Sequence, residues 1–340
     1  MFRKLILFAT LLTLCVVVLG AYVRLSDAGL GCPDWPGCYG KITPHHAAEH
    51  IEEAHAAAPH GPVSMAKAWK EMVHRYLAAS LGFLIIVIAA MAWKMRVRLD
   101  QSPWLPIALV AVVILQGLFG KWTVTMLLKP AIVTGHLIGG LTTLALLTWL
   151  SMRQAASRPG VRTSGGLRIA AALGFVLLAC QITLGGWVST NYAALACSDL
   201  PTCQGAWLPA MDFANAFHVV RELGQTASGD LLPLPALTAI HWTHRIGAML
   251  VAGYLLVLGA ILVGAGMRRD GALLVAIVVL QFCLGLSNVW FGLPLGIAVA
   301  HNGGAALLVV LLTVINFRVA GSAAHVTLAF HPKIVSQSPR

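Results

Sequence analysis

Charged residues are scarce in this sequence of 340 residues, and acidic residues are scarcer than basic ones. Only 10% of the residues are charged and 58% are apolar, whereas about 25% are charged in a typical soluble domain. So little charge could not cover the surface of a soluble protein. The net charge of +11 suggests a nucleic-acid partner, but the basic residues do not cluster on one segment, so we expect none.

Long apolar runs, by contrast, are abundant. Eight of them suit the roughly 20 residues that cross a hydrocarbon core. The sixth run is too long for one simple span, so we expect an outer segment before it or a tilted helix. The sequence thus predicts an all-α integral membrane protein with eight transmembrane helices, at residues 5–23, 72–93, 103–123, 131–151, 168–189, 236–266, 271–291 and 295–317.

Lysine and arginine are concentrated in alternate connections between these spans. The N-terminal residues, the connections after spans 2, 4 and 6 and the C-terminal tail hold them at the higher density, which places both termini in the cytoplasm. The N-terminus is neither Ser-rich nor strongly basic, which excludes a mitochondrial transit peptide, and an uncleaved first span is favoured over a signal peptide. We therefore expect a multi-pass protein of a bacterial inner (plasma) membrane.

Four of the seven cysteines form two close pairs in loops that the topology places outside. Because disulfides persist on an oxidising face, we predict the bonds Cys32–Cys38 and Cys197–Cys203. Loops this short gain modest stability from a disulfide, and a structural role is favoured. Short exposed disulfides can be reducible, however, so a redox role of the first pair stays open. The remaining three, which lie in apolar runs, are predicted to be packing residues: Cys15, Cys180 and Cys283.

The chain resembles itself at an offset of 165 residues. Residues 19–40 read LGAYVRLSDAGLGCPDWPGCYG, and residues 184–205 read LGGWVSTNYAALACSDLPTCQG. The same offset relates the Leu-Gln pair and the following glycine of span 3 to those of span 7. Since each half holds an even number of spans, we predict two parallel four-helix bundle repeats related by a pseudo-twofold axis along the membrane normal.

The repeat predicts four parts of the chain. They are an N-terminal four-helix half at 1–155, a cytoplasmic linker at 156–165, a C-terminal four-helix half at 166–320 and a cytoplasmic tail at 321–340.

Each half carries a pair of repeated histidines, His74 with His136 and His244 with His301. Ionisable residues inside a span are costly and indicate function. At about 1.5 Å per residue, the first pair lies within roughly 8 Å of the outer face. With no acidic metal partner nearby, two facing imidazoles favour a haem over a tetrahedral zinc site. Hydrogen-bonded packing explains a lone histidine well, but four in register much less well.

Residues beside these histidines suggest how a haem would be accommodated. Arg75 and Arg245 each follow a histidine directly and are candidates to pair with haem propionates. Five glycines near the histidines of spans 4 and 8 are expected to leave room for a macrocycle: Gly135, Gly139, Gly140, Gly303 and Gly304.

The repeat breaks at Glu71, three residues before His74 and therefore on the same helix face. A carboxylate there could act as a general base or stabilise a developing cation, although an interfacial charge without a role is the alternative. Its counterpart at an offset of 170 is His241, so one half is predicted to be reactive and the other not. The five histidines of residues 45–60 predict a solvated helical insertion, with loose metal binding as the alternative.

Six motifs together resemble those of the haem A synthase family, and the resemblance runs from span 1 to span 8. The motifs are CPDWPGC (32–38), EMVHR (71–75), GHLIGG (135–140), CSDLPTC (197–203), HWTHR (241–245) and HNGG (301–304). The family is a membrane-bound oxidoreductase that converts a pyrrole methyl group of haem O to a formyl group, giving haem A for terminal oxidases. The long His-rich insertion before Glu71 departs from the family pattern.

The resemblance also implies roles for individual residues. His244 and His301 would ligate a haem b cofactor, while His74 and His136 would hold the iron of the substrate haem O beside Glu71. The implied partners are membrane lipid, haem O synthase and oxidase assembly factors. Two other functions fit the histidine pairs, namely a di-haem b electron-transfer protein and a transporter or haem exporter. The Glu71/His241 asymmetry disfavours the first, and histidines near one surface rather than the midplane disfavour the second.

Overall fold

The computed structural model describes residues 1–99, 102–155 and 164–329. Eight helices in these ranges are long and apolar enough to cross a membrane, and no named β-strand occurs within them. The predicted all-α fold with eight membrane helices is therefore confirmed. The eight are α1 Phe2–Leu25, α2 Met65–Lys94, α3 Trp104–Thr125, α4 Pro130–Gln154, α5 Gly165–Thr190, α6 Leu234–Gly264, α7 Arg268–Trp290 and α8 Leu295–Ala329.

Two helix boundaries differ from the predicted spans, and α6 differs from its prediction in another way. Helix α2 begins at Met65 rather than residue 72, because Ser64 caps it by accepting a hydrogen bond from the backbone N–H of Lys67. Helix α6 is one continuous helix of 31 residues with no separate outer segment. Helix α8 runs on to Ala329, past the predicted start of the tail. Residues 156–163 of the predicted linker and 330–340 of the tail lie outside the described residues.

The helices of each half pack as a ring. Helix α1 contacts α2 and α4, and α3 contacts the same two, so α2 and α4 lie at opposite corners. Helices α5 and α7 both contact α6 and α8, which again lie at opposite corners. The two rings meet where α8 contacts α1 and α4 and where α4 contacts α5. This arrangement sets the helices that carry each histidine pair across a ring from one another.

The C-terminal ends of α1 and α5 and the connections that follow them contact each other. The guanidinium of Arg24 donates to the carbonyl of Ser189 at 2.8 Å and stacks 4.2 Å from the ring centre of Tyr192. The Tyr192 hydroxyl donates to the Asp27 carboxylate at 3.0 Å. Burial raises the pKa of Tyr192 above its ordinary value, so this hydroxyl keeps its proton for the hydrogen bond at neutral pH.

Both predicted disulfides, Cys32–Cys38 and Cys197–Cys203, are formed. The expectation that the first is exposed is wrong, since all four half-cystines are fully buried. Ile51 of the helix Ala48–Ala57, which belongs to the His-rich insertion, packs in the same apolar cluster as the first pair. The insertion thus contributes to the burial of this disulfide.

The cysteines inside the membrane helices do not pack in the core, and the prediction that they are packing residues is wrong. Each lies on a helix surface that faces away from the neighbouring helices, where a small apolar side chain suits contact with lipid. The three exposed residues are Cys15, Cys180 and Cys283.

Candidate haem-binding sites

His74 on α2 and His136 on α4 lie in the interior of the first ring. The two side chains are close enough to interact electrostatically. Each ring packs on a glycine of a neighbouring helix. A Cβ atom added to Gly20 would lie 2.9 Å from Cε1 of His74, and one added to Gly120 would lie 3.3 Å from Cε1 of His136. These glycines allow α1 and α3 to approach the imidazoles without displacing them.

His244 on α6 and His301 on α8 form the same arrangement in the second ring, and they too interact electrostatically. A Cβ on Gly185 of α5 would lie 3.0 Å from Cε1 of His244, and one on Gly285 of α7 would lie 3.2 Å from Cε1 of His301. Both rings of helices thus present two imidazoles from opposite corners.

The donor set fits a haem. In the described part of the chain, no group of three or more His, Cys, Asp or Glu side chains could hold a metal ion, so a tetrahedral site lacks ligands. Paired imidazoles without a third donor match the two axial positions of a haem iron. The Nδ1 atoms of His74, His136 and His301 are buried and have no hydrogen-bond partner among the described residues.

Glu71 is a buried carboxylate one helical turn before His74, at 4% exposure. Its Oε1 atom accepts a hydrogen bond from the guanidinium of Arg75 at 2.6 Å. Its Oε2 atom accepts one from the backbone N–H of Cys32 at 2.9 Å. The carboxylate is thus fixed between the outer disulfide loop and the helix that carries a histidine of the first pair.

The second half keeps this architecture but not its charge. His241 replaces the carboxylate and is also buried. Its Nδ1 atom lies 3.3 Å from the backbone nitrogen of Cys197, and its Nε2 atom lies 3.2 Å from Nε of Arg245. A neutral imidazole accepts through one ring nitrogen only, so His241 can accept one of these two hydrogen bonds where the Glu71 carboxylate accepts both, and it brings no negative charge.

Arg75 and Arg245 bind the two disulfide loops. Arg75 donates to the carbonyls of Asp34 at 2.8 Å and Gly37 at 2.5 Å. Arg245 donates to the carbonyl of Cys197 at 2.6 Å, and also to two other carbonyls of that loop. The structure gives both guanidinium groups loop carbonyls as partners, and their predicted pairing with propionates stays a prediction.

The profile of a family described as cytochrome oxidase assembly protein matches residues 3–313. The chain belongs to this family. A heme A synthase of Shewanella oneidensis is 43% identical over 312 residues, which cover 90% of this chain and 92% of the relative. A heme A synthase of Rhizorhabdus wittichii is 28% identical over 334 residues, with 90% of each chain covered.

This match confirms the family resemblance that the six motifs predicted. A more distant relative, a heme A synthase of Halalkalibacterium halodurans, is 28% identical over 253 residues, or 72% of this chain and 78% of the relative.

The role of the glycines in this family member differs from the prediction. The space beside Gly135 is filled by Phe119, and a Cβ on Gly139 or Gly304 would collide with a glutamine of the neighbouring helix. These glycines therefore serve helix packing, and the prediction that they leave room for a macrocycle is wrong for them. Gly20 and Gly185 do contact imidazoles. They occupy equivalent positions of the internal repeat, and this signal in the sequence could have identified them.

The His-rich insertion of this family member is helical, as predicted. Pro44–Ala47 forms a 3-10 turn and Ala48–Ala57 a helix. The His50 ring stacks on Tyr39 at 5.7 Å, and His55 Nδ1 lies 3.2 Å from the carbonyl of Val63. Among the described residues, no group of three or more His, Cys, Asp or Glu side chains could hold a metal ion, and loose metal binding by the insertion stays an untested alternative.

Proposed function

We propose that this protein is a haem A synthase, an oxidoreductase that converts a pyrrole methyl group of haem O to the formyl group of haem A. The proposal rests on family membership, on relatives that carry this name over nine-tenths of the chain, and on two facing histidine pairs. Haem O is then the substrate and haem A the product, which serves terminal oxidase assembly.

We also propose that a pseudo-twofold axis along the membrane normal relates the two halves. Three kinds of observation support it. The ring contacts of α1–α4 recur in α5–α8. The contact between α8 and α1 is the counterpart of that between α4 and α5. Arg24 bonds to Ser189, and Asp27 to Tyr192, and each of these pairs joins residues separated by the repeat offset of 165. Two equivalent residues contact each other directly only where they lie next to the twofold axis that relates them.

The halves have unequal roles, and the observation that carries this assignment is the exchange of Glu71 for His241. We place haem O between His74 and His136, beside the carboxylate. Haem b fits between His244 and His301, where the equivalent acceptor is an imidazole. When bound, haem b supplies one-electron redox chemistry.

Conversion of the methyl to a formyl group adds one oxygen atom to the substrate carbon and, counted with water as the oxygen source, removes four electrons and four protons. A buried carboxylate on the helix face of a ligand can accept a proton or stabilise positive charge that develops on the substrate. Glu71 has this position, and the Arg75 guanidinium and the Cys32 N–H orient its two oxygens. His241 cannot supply negative charge, which leaves the second site suited to hold a cofactor rather than to react.

The protein belongs in a bacterial inner membrane with both termini cytoplasmic, according to the distribution of basic residues. The disulfide loops, the His-rich insertion and all four ligand histidines then lie towards the outer face. We propose membrane lipid, haem O synthase and oxidase assembly factors as its partners, because haem O and haem A are too apolar to cross water freely.

Extraction of haems from cells that express the protein together with a source of haem O tests the activity. We expect haem A in the extract and haem b in the purified protein. Purified protein that carries haem b while no haem A forms would identify a di-haem b electron-transfer protein instead.

The role of Glu71 is tested by Glu71→Gln, which keeps the shape and one acceptor of the side chain but removes its charge. We expect the variant to retain bound haem O and to lose at least about tenfold in haem A formation, as general-base variants do. Glu222→Gln, which changes an exposed carboxylate paired with Lys129, is the matched control and should keep full activity. Full activity of the Glu71 variant would contradict the assigned role.

A further inference from the structure

Three of the four repeated histidines are held by a glutamine from the neighbouring helix. The side-chain amide of each glutamine donates to the backbone carbonyl of a histidine, and for two of them it also approaches the imidazole. The donor–acceptor distances are 2.6 Å from Gln116 to His136, 3.0 Å from Gln181 to His244 and 3.0 Å from Gln281 to His301. Gln181 Nε2 additionally lies 2.9 Å from Nδ1 of its histidine, and Gln281 Nε2 lies 3.4 Å from Nε2.

Each glutamine fits because a glycine stands three residues after the histidine it holds. A Cβ atom on any of these glycines would collide with the amide oxygen of the glutamine: Gly139 with Gln116, Gly247 with Gln181 and Gly304 with Gln281. All three amide oxygens are buried and accept no hydrogen bond from any described residue. Glutamine and glycine thus form one device, which we call the glutamine–glycine clamp.

His74 has neither part of this clamp. At the repeat offset, the position of Gln181 is occupied by Val16, whose side chain has no hydrogen-bonding group. The position of Gly247 is occupied by Leu77. His74 Nδ1 is buried, and the backbone carbonyl of Val16 lies near its ring, as the carbonyls of Gln116 and Gln281 lie near the rings of His136 and His301. The paired replacement removes the amide and fills the space that an amide would need.

A clamp of this kind matters for a metal ligand. Groups that orient a ligating histidine from behind change metal affinity by about 10- to 100-fold when they are removed. An imidazole whose helix segment is held by an amide of the next helix keeps its direction towards the iron, whereas His74, which has no such amide, can rotate away at lower cost.

We propose that the missing clamp makes His74 the releasable ligand, so that haem in the N-terminal half exchanges while haem in the C-terminal half is retained. This inference rests on the proposed function, in which one half turns over substrate and product and the other holds a resident cofactor. Val16, Leu77, Gln181 and Gly247 are positioning residues in this scheme, since they act through His74 and His244 and reach the haem only through them.

Haem release from the full-length purified protein tests the proposal independently of catalysis. Haem b is loaded at both sites, excess apomyoglobin captures released haem, and the absorbance change gives the rates. We expect two phases of similar amplitude. The double substitution Val16→Gln with Leu77→Gly installs a clamp and should slow the fast phase about tenfold or more, whereas Gln181→Val should accelerate the slow phase by a similar factor.

Two controls separate the clamp from general loss of stability. Val16→Ile with Leu77→Ala changes the same positions without an amide and should leave the fast phase fast. Gln181→Val should broaden the low-spin electron paramagnetic resonance signal of one haem only, which global loosening would not do. Should the installed clamp prevent folding, Gln181→Val tests the proposal alone, and an unchanged slow phase would overturn it.

The outcomes distinguish this inference from the proposed function. A single release phase in a protein that makes haem A would overturn the clamp and leave the enzyme intact. Two phases with the expected response in a protein that never makes haem A would support the clamp and overturn the proposed enzyme activity.

Discussion

Arg75 and Arg245 fasten the two disulfide loops to the helices that carry the histidines. In each half one guanidinium joins the acceptor at the Glu71 or His241 position to carbonyls of the loop. Planar guanidinium groups present several donors in fixed directions, which a lysine ammonium cannot reproduce. At this scale the two halves are alike in geometry and differ in one charge.

Arg75→Lys should therefore loosen the first loop. A hydrogen bond to a charged group contributes about 1.5–3 kcal/mol, and loss of one corresponds to about tenfold or more in an opening equilibrium. We expect a phosphine reductant to cleave Cys32–Cys38 about tenfold faster in the variant. Cys197–Cys203 in the same molecule is the control and should be reduced at its original rate, so parallel acceleration of both would contradict the assignment.

Asp199 gives the second loop a dependence on pH. The Thr202 hydroxyl at 2.5 Å, with the backbone N–H groups of Gly205 and Gln204, holds the pKa of this carboxyl at about 2, below its ordinary 3.8. Because the pKa is depressed, these bonds stabilise the loop fully above pH 3.8 and are lost as the pH falls through about 2.

Thr202→Ala should raise the pKa of Asp199 towards its ordinary value, since the largest cause of the depression is removed. A carbon-13 titration of the carboxyl group measures it. Thr202→Ser keeps the hydroxyl and should keep the low pKa. Equal titration midpoints for the alanine variant and the unsubstituted protein would refute the cause assigned here.

At the scale of elements, the helix Ala48–Ala57 is held by one buried side chain. Ile51 is fully buried against the half-cystines, Ala68 and Met72, while half of the helix residues are polar. Short helices in water depend on such packing rather than on their own propensity.

Ile51→Ala should release this helix, because truncation of a buried isoleucine costs about 2–5 kcal/mol. Hydrogen exchange of the amides between residues 48 and 57 is expected to accelerate in the variant. Glu52→Ala, on the exposed side of the same helix, should leave exchange unchanged. Unaltered protection after the Ile51 substitution would mean that the helix is held by other contacts.

At the scale of the whole molecule, the proposed topology assigns each loop to one of the two faces of the membrane. Leu231 in the connection before α6 is 86% exposed, and Val97 after α2 is 87% exposed. An impermeant maleimide should label Leu231→Cys in intact spheroplasts and Val97→Cys only after lysis. The unsubstituted chain, with its three free cysteines, gives the background. Labelling of Val97→Cys in intact spheroplasts would invert the proposed orientation.

Much of the architecture was predictable because it depends on local composition. Hydropathy over about 20 residues decides whether a segment spans a bilayer, and all eight spans are confirmed. The two disulfides followed from close spacing and side of the membrane. Helix α2 was misjudged at its outer end, because residues 65–71 include lysines that hydropathy excludes, while packing beneath the disulfide loop keeps them helical.

The sequence by itself determined the eight spans, the paired histidines and the Glu71/His241 exchange, since these are properties of residues in order along the chain. Only the tertiary structure decided what those residues contact. Glu71 meets the backbone of Cys32 across 39 residues, and Gln181 meets His244 across 63. Such partners depend on which helices lie side by side. Close packing then determines that a glutamine fits beside His244, whereas Val16 occupies the equivalent position beside His74.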